Sequence, residues 1–418
     1  MLIMFPTASL TTLPNSLKLV LVPDDHVESV CFGLFVASGS RHEKAADAGI
    51  SHFIEHMLFK GTATRNALDI SRAIEGRGGN FNAYTSEEGT CFYAYMPCEC
   101  LPVAVSIISD MYANAAIPDS DFERERNVII EEIKMYDDEP DSVASENLSR
   151  ALFPKNALGL PIAGSAKSLM PMTAQRLRDY IHRAYVPAAT TAVITGRFDP
   201  ASAITLVLNA LGGMKGGKPI SYVPLKKSIA PIREMRAERD INQVQLALGF
   251  RMFGAKAPMH KKCAASIFDA LMGRSMSSRL FQSVREKRGL SYDIRSQLQY
   301  FDDVGGWAVT AGLNTARVKD AVAAIDRELD RIREKSPSAA ELKRTKDFLV
   351  GNFRLGLESM RARLFYYGNC VQTYGLIHEP GEVVDEMRSV TADEVREVAA
   401  EILDEKNRAI SWVVPKGK

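Results

Sequence analysis

The same order of predicted elements occurs twice in this chain, once on each side of a glycine-rich segment near its middle. That segment, LGGMKGGKPISYVPLKK at 211–227, combines glycines, prolines and a basic end, a composition typical of a linker. Each side begins with strand-like runs, passes through a helix, a short helix and two more strand-like runs, and closes with long helices and a final strand. Such a repeat predicts two similar domains.

The order of the elements predicts an α+β fold. In the first half, LKLVLVP and VCFGLFVASG follow each other with no helix between them, so the strict alternation of a doubly wound sheet is missing. We therefore expect a mixed or antiparallel sheet flanked by helices in each half. The predicted domains are 1–212 and 228–418, joined by a linker at 213–227. Long amphipathic helices are predicted at 101–115, 119–138, 315–334 and 338–363.

Composition and charge exclude several classes of function. Apolar residues make up 46% and charged residues 25%, and a net charge of +1 disfavours a nucleic-acid partner. No run approaches the roughly 18 apolar residues of a membrane-spanning helix. The start, MLIMFPTASL, lacks the basic region and the long apolar run of a secretory signal. Since the six cysteines are also sparse, we expect reduced thiols and a cytoplasmic protein.

Two histidines and a glutamate fall within one predicted helix, in GISHFIEHMLFKGT at 49–62. His52 and His56 are four residues apart and share a face, and Glu55 points to the same side. Two imidazoles can bind zinc, a third protein ligand and a water complete a catalytic site, and a carboxylate beside that water can take its proton. The order H-x-x-E-H offers the same groups as H-E-x-x-H. The alternative is two ordinary histidines and a solvated glutamate.

A second helix could supply the third ligand. The stretch SDFERERNVIIEEIKMYDDEP at 120–140 predicts a charged helix with an apolar stripe. Glu125 and Glu132 lie seven residues apart and so return to one face, from which either could reach the first helix. For any single glutamate here, a helix that is solvated on one side is the simpler interpretation. The spacing alone therefore leaves the third ligand open.

Four motifs of the chain are ASGSRHEKAADAGISHFIEHMLFKGT (37–62), GGNFNAYTSEEGT (78–90), ERERNVIIEEI (123–133) and SMSSRLFQSVREKRGLSY (275–292). Together they closely resemble those of the pitrilysin/insulysin-type zinc metallopeptidases. Within that superfamily the chain is most similar to small bacterial enzymes related to the β subunit of mitochondrial processing peptidase. The resemblance covers nearly the whole chain, and the combination of motifs is specific.

The resemblance implies a role for each residue of the first half. His52, His56 and Glu132 would bind one zinc ion per chain, and Glu55 would be the general base. Glu125 would orient a ligand without touching the metal. Glu131 is disfavoured as the ligand because it faces about 100° away from Glu132 on a helix, but the similarity, and not the spacing, decides that choice.

The resemblance also implies substrate contacts. Arg285 and Tyr292 would hold the scissile carbonyl and stabilise its developing charge, although on bare sequence an arginine in a basic helix and a half-buried tyrosine are common. Asn82 and Ala83 would lie on an edge strand to which a peptide adds as a further strand. Such binding, made mainly through the main chain, predicts broad specificity for extended peptides.

The second half lacks the zinc residues. Its counterpart of the first helix reads KKCAASIFDALMG at 261–273, and Asn352 stands near the position that matches Glu132. The resemblance implies one active and one inactive half, and two chains facing each other like clam shells. We expect a homodimer, in which the zinc of one chain meets Arg285 and Tyr292 of the other. A heterodimer with an inactive partner is the alternative.

One departure from the family bears on the substrate. The mitochondrial enzymes use acidic residues ten and fourteen positions after the ligand glutamate to bind a substrate arginine, and here those positions are Ser142 and Glu146. We therefore expect a general endopeptidase for oligopeptides and unfolded segments. Presequence-type processing with a partner, aided by Asp141, is one alternative. A non-catalytic core subunit and a zinc enzyme acting on a non-peptide substrate are the others.

Overall fold

The computed structural model describes residues 5–417, which form two compact units. The first unit comprises residues up to 133 together with 161–223 and 355–379. The second comprises 134–160 and 224–354 together with the residues from 380 onward. The stretch that we considered as a signal sequence begins with residues 1–4, which lie outside the described residues.

A mixed sheet lies at the centre of the first unit. Its strands are β1 (Ser9–Thr12), β2 (Lys18–Pro23), β3 (Ser29–Val36), β4 (Asn80–Thr85), β5 (Thr90–Pro97) and β6 (Thr190–Gly196). They are ordered β1-β2-β6-β3-β5-β4. The β2–β6 pair is parallel and the other neighbours are antiparallel. This order leaves β4 at one edge of the sheet.

The sheet of the second unit repeats this arrangement. Its strands are β7 (Glu234–Arg239), β8 (Val244–Phe253), β9 (Ser291–Tyr300), β10 (Val304–Leu313) and β11 (Arg408–Pro415). The order is β7-β11-β8-β10-β9, with β7 and β11 parallel and the other neighbours antiparallel. The order β2-β6-β3-β5-β4 in the first unit has the same directions. The prediction of a duplicated α+β fold with mixed sheets is therefore confirmed.

Helices flank both sheets. In chain order they are α1 (Ile50–Leu58), α2 (Ala67–Glu75), α3 (Leu101–Asn114), α4 (Asp119–Asp138), α5 (Pro140–Leu152), α6 (Ala166–Leu169), α7 (Ala174–Ala184), α8 (Pro200–Leu211), α9 (Met259–Gly273), α10 (Val318–Glu334), α11 (Ala339–Gly356), α12 (Met360–Tyr374), α13 (Pro380–Ser389) and α14 (Ala392–Ile402). Within the described residues, no helix combines the length and the apolarity needed to cross a bilayer.

The helix predicted at 338–363 is wrong as a single element. The structure ends α11 at Gly356 and starts α12 at Met360. Ser359 is the N-cap of α12, and its hydroxyl accepts a hydrogen bond from the Ala362 N–H at 3.4 Å. A glycine followed by a capping serine favours a helix end and a new start, and these local signals outweigh the apolar periodicity that continues through them.

Two helices belong to the unit opposite to their half of the sequence, which differs from the division predicted at 212 and 228. Helix α5 packs on β8 and β11, and α12 packs on β3 and β6. The physical reason is visible in β3, where Phe32 and Phe35 are fully buried on opposite faces, in two different apolar clusters. A sheet that is apolar on both faces needs both covered, and sequence patterning does not say which helix supplies the second cover.

An imidazole in the second unit connects three helices. His260 of α9 places Nδ1 at 2.9 Å from Glu386 of α13 and Nε2 at 3.0 Å from Glu394 of α14. The hydrogen bond to Glu394 raises the pKa of His260, partial burial opposes this, and Glu386 adds to the increase. Because both ring nitrogens face carboxylates, the doubly protonated ring fits best.

We predict that His260→Gln changes how stability depends on pH. A histidine whose folded-state pKa is raised contributes its full stabilisation below its unfolded pKa of about 6.5, and loses it as pH rises through the folded pKa. The pair is partly exposed, so the effect is at most about 1 kcal/mol. Thermal unfolding should separate variant from wild type near pH 6, with the gap closing as pH rises through the folded-state pKa of His260. A constant gap across this range, or one matched by replacing the exposed His182, would contradict the prediction.

Candidate metal centre

Helix α1 begins at a glycine that other residues do not replace easily. Gly49 is the N-cap with a φ of 95°, and a Cβ there would lie 2.6 Å from the Ala163 carbonyl oxygen. The Glu43 carboxylate accepts hydrogen bonds from the Gly49 and Ser51 N–H groups, both at 2.8 Å, and so caps the helix. Burial raises the pKa of Glu43 to about 7, although these N–H groups oppose the increase. The start of α1 is therefore fixed by the close approach of Gly49 to Ala163 and by the hydrogen bonds to Glu43.

The apolar face of α1 anchors it beside α4. Its fully buried apolar residues are Ile50, Phe53, Ile54, Met57 and Leu58. The Phe53 ring stacks on Phe122 of α4 with 4.7 Å between ring centroids. His52, Glu55 and His56 lie on the remaining, partly exposed side of α1. The stacked pair thus sets the distance from which α4 faces these three groups.

The three candidate ligands converge between α1 and α4. Glu132 Oε2 lies 3.8 Å from His52 Nε2 and 3.5 Å from His56 Nε2. One ligand atom from each residue lies within 4.8 Å of the others. Tetrahedral zinc with bonds of about 2.0–2.1 Å places its ligand atoms about 3.3 Å apart. Two imidazoles and a carboxylate at these distances fit a zinc ion.

A carboxylate behind His56 orients its ring. Glu125 Oε1 lies 2.8 Å from His56 Nδ1, so a proton on that nitrogen leaves the Nε2 lone pair directed towards Glu132. The other oxygen of Glu125 accepts a hydrogen bond from Lys60 Nζ at 2.7 Å. Burial raises the pKa of Glu125, but the hydrogen bonds from His56 and Lys60 outweigh burial and hold it below its usual value. Glu125 is therefore an ionised acceptor for His56.

Burial keeps His52 neutral. Burial, with a smaller contribution from the neighbouring His56, lowers the pKa of His52 to about 4. The neutral imidazole is the form that can bind a metal. In the described part of the chain, the buried His52 Nδ1 has no hydrogen-bond partner, so His52 lacks the carboxylate support that His56 receives.

Glu55 lies beside the cluster and is held by a threonine. The Thr85 hydroxyl, at the end of β4, donates a hydrogen bond to Glu55 Oε2 at 2.6 Å. Burial raises the pKa of Glu55, Thr85 and His56 oppose the increase, and Glu132 adds to it. A carboxylate with a raised pKa is better matched to accepting a proton near neutral pH.

The expected peptide-binding residues lie on the edge strand. Asn82 and Ala83 are in the middle of β4, paired with Tyr93 and Phe92 of β5. Asn82 is exposed, and its side-chain oxygen accepts a hydrogen bond from the Ala83 N–H at 2.8 Å. The strand therefore offers its outer edge to a further strand, with one N–H already satisfied by a neighbouring side chain.

Arg285 and Tyr292 belong to the second unit, where they are close to each other. The Arg285 guanidinium carbon lies 5.1 Å from the centre of the Tyr292 ring and 4.6 Å from that of Phe281. Arg285 is in a short π-helical turn, Phe281–Glu286, and Tyr292 is in β9 with 78% of its surface exposed. The sequence alone suggested a half-buried tyrosine. The exposed Tyr292 side chain is instead accessible to another molecule.

The second unit carries no comparable cluster among the residues that the structure describes. Asn352 lies in α11, the helix that follows α10 as α4 follows α3. An asparagine there cannot supply the carboxylate that Glu132 supplies in α4. In the described residues, the candidate metal-binding cluster therefore occurs in the first unit and has no counterpart in the second.

Three residues that support the cluster were not predicted from the sequence. Glu43 caps α1, Lys60 pairs with Glu125, and Thr85 bonds to Glu55. Lys60 stands four residues after His56, so its helical spacing was a usable signal. Thr85 is the last residue of N-A-Y-T (82–85), within the motif GGNFNAYTSEEGT. No pattern in the sequence links Glu43 to the N–H groups it caps.

Family models match both halves of the chain. Residues 19–166 match a model described as insulinase, peptidase family M16, and residues 171–349 match one described as the peptidase M16 inactive domain. The first range contains the whole histidine and glutamate cluster. The second contains Arg285 and Tyr292 and ends three residues before Asn352.

Similar proteins and structures cover nearly the whole chain. An uncharacterized zinc protease of Mycobacterium tuberculosis is 34% identical over 95% of this chain and 91% of its own length. The uncharacterized zinc protease YmxG of Bacillus subtilis is 31% identical over 97% of this chain and 98% of its own. The crystal structure of a protease from Helicobacter pylori superposes with a TM-score of 0.92 at 20% identity, covering 99% of this chain and 100% of that one. The similarity therefore extends over both units of this chain.

We predict that replacing Glu132 weakens zinc binding, whereas replacing its neighbour Glu131 does not. Glu132 faces both histidines, but Glu131 lies on the exposed side of α4. Competition with a chromophoric chelator should show Glu132→Gln binding zinc more than about tenfold more weakly than wild type. Glu131→Gln is the matched control and should retain wild-type affinity. Equal losses in both variants would contradict the assignment.

Proposed function

The chain belongs to the insulinase-type zinc peptidases of family M16, and on this premise we propose that it is a zinc-dependent endopeptidase for oligopeptides and extended, unfolded segments. The observation that carries the proposal is the meeting of His52, His56 and Glu132, with Glu55 beside them. We further propose that the domain with these residues is catalytic, and that the second domain is inactive and contributes substrate contacts.

His52, His56 and Glu132 would hold one zinc ion per chain. The bound ion supplies Lewis-acid activation of a water molecule and of the scissile carbonyl. Glu125 keeps the His56 ring in the orientation that directs Nε2 to the site, and Lys60 keeps Glu125 ionised. The protein thereby prepares the ligand set before the metal arrives.

Glu55 acts as the general base. Its carboxylate accepts the proton of the attacking water and later returns that proton to the leaving amine. The raised pKa of Glu55, caused first by burial, supports the first step because it makes the carboxylate a stronger base than a solvated glutamate. The Glu55 side chain makes no ion pair in the described residues, so its charge is not committed elsewhere.

The substrate binds as an added strand along β4. Asn82 and Ala83 present main-chain groups at this edge, and such pairing accepts many side-chain sequences. General specificity is also supported by the residues after Glu132. Ser142 offers no charge and bonds to Glu139, and burial and the nearby Asp137 raise the pKa of Glu146. A strong acidic pair for a substrate arginine is therefore not favoured.

We predict that Glu55→Gln abolishes peptide cleavage while zinc remains bound. The amide keeps the shape of the side chain but cannot accept a proton from water. Cleavage of a fluorogenic peptide by the reconstituted variant should fall by about a hundredfold or more. Zinc content, measured by atomic absorption, should equal that of wild type.

Glu99→Gln, on an exposed turn after β5, is a control that should keep full activity. Wild-type protein that binds zinc but cleaves no member of a mixed peptide library would favour the alternative of a non-catalytic core subunit. Peptide cleavage at the wild-type rate by the Glu55→Gln variant would contradict the assignment of Glu55 as the general base.

Arg285 and Tyr292 would contact the substrate from the second domain of a partner chain, in a homodimer that closes into a chamber. A guanidinium and a phenol can stabilise the oxyanion of the tetrahedral intermediate. The exposure of Tyr292 supports this role because its hydroxyl is accessible to another molecule. A heterodimer with an inactive homologue remains the alternative arrangement.

We predict that two inactive variants restore activity when they are mixed. In a homodimer with shared sites, a Glu55→Gln chain supplies Tyr292 to the intact Glu55 of a Tyr292→Phe chain. Random exchange of subunits should give about one quarter of wild-type activity. The two variants are mixed, diluted and reconcentrated so that their subunits exchange. The peptide assay then measures the regained activity, and the mass in solution shows that the chains are dimeric. A dimer that exchanges subunits without regaining activity would show that both groups act within one chain.

A further inference from the structure

Thr85, at the end of β4, forms a hydrogen bond with the carboxylate of Glu55. Thr85 Oγ1 lies 2.6 Å from Glu55 Oε2, and because an ionised carboxylate can only accept, the threonine hydroxyl donates. We propose that Thr85 is a positioning residue that fixes the orientation of Glu55 for proton transfer, an inference that rests on the proposed function. Thr85 would act through Glu55, to which its hydroxyl bonds, and not by contacting the substrate or the metal ion.

Glu55 needs such a partner because its side chain is long. A glutamate on a helix has several rotatable bonds, and a general base must lie within hydrogen-bond reach of the water it deprotonates. Among the residues that the structure describes, the Thr85 hydroxyl is the one hydrogen-bond donor to this side chain. With Oε2 held by Thr85, Oε1 is left to receive the proton.

Thr85 is itself held rigidly. It is the last residue of β4 and pairs with Thr90 of β5 across a short turn, which the Ser86 N–H closes by donating to the Gly89 carbonyl at 2.8 Å. The N–H of Arg41 donates to the Glu87 carbonyl at 2.7 Å, and its buried guanidinium pairs with Glu88. A buried arginine thus holds the turn that presents the threonine.

The same strand carries the proposed substrate edge. Asn82 and Ala83 precede Thr85 by three and two residues, and Phe81 and Ala83, on the same face of β4 as Thr85, pack against the core that contains α1. A peptide added to this edge is therefore placed relative to the residue that orients the base. Since the Thr85 side chain bonds to Glu55 and Asn82 and Ala83 form the proposed substrate edge, the loss of Thr85 should affect turnover more than substrate binding.

The test compares Thr85→Val with Thr85→Ser. Valine keeps the shape of threonine and removes the hydroxyl, whereas serine keeps the hydroxyl. We expect Thr85→Val to lower kcat by about ten- to a hundredfold with KM changed less than about twofold, and Thr85→Ser to stay within about threefold of wild type. Zinc affinity should be unchanged in both variants.

Thr90→Val is the matched control. Thr90 lies opposite Thr85 in the same ladder, but its hydroxyl donates to the Ser38 carbonyl. Its loss should leave kcat within about threefold of wild type, even where thermal unfolding shows a lower Tm. An unchanged kcat in Thr85→Val, equal losses in the valine and serine variants, or weaker zinc binding in Thr85→Val would overturn the inference.

A measurement without activity separates this inference from the proposed function. Thermal unfolding of zinc-free Thr85→Val, Glu55→Ala and the double variant forms a double-mutant cycle. Coupled side chains should give a double-variant Tm shift that differs from the sum of the single shifts, and additive shifts would overturn the inference. Protein that cleaves no peptide but shows coupling would end the proposed function alone.

Discussion

The candidate centre depends on the packing of α1 against α4. The stacked rings of Phe53 and Phe122 hold the two helices at one separation, and within it Glu125 and Glu132 reach across to the histidines. If either helix moved by the width of a methyl group, carboxylate and imidazole would no longer share a metal-sized space. An apolar contact therefore sets the geometry of a polar site.

Burial then sets the chemical state of each group in that site. It keeps His52 neutral and raises the pKa of Glu55, whereas Glu125, with Lys60 and His56 as partners, stays ionised. Similar side chains thus acquire different chemical states according to what each one faces, and this is how one helix could carry both the proposed metal ligands and the proposed base. Thr85 and Glu43 add hydrogen bonds that limit how far these groups can move.

Duplication separates the fold from its chemistry. Both units build the same mixed sheet, yet among the described residues only the first brings two histidines of its opening helix together with a glutamate of a facing helix in a group that could hold a metal ion. In the second unit the corresponding long helix carries Asn352, and exposed side chains such as Tyr292 are the notable polar features. Selection on a duplicated fold can retain packing in both copies while it keeps metal-binding residues in one.

The sequence by itself determined the features that depend on local periodicity: the strands and most helices, the repeat, and the shared face of His52, Glu55 and His56. It left Glu125 and Glu132 open as partners until a family resemblance was used, because seven-residue spacing places both on one face. Only the tertiary structure decided that Thr85 meets Glu55, that Lys60 pairs with Glu125, and that α5 and α12 cover the sheets they do. Those contacts join residues that are distant in sequence or share no periodic pattern, so they form only when whole elements pack together.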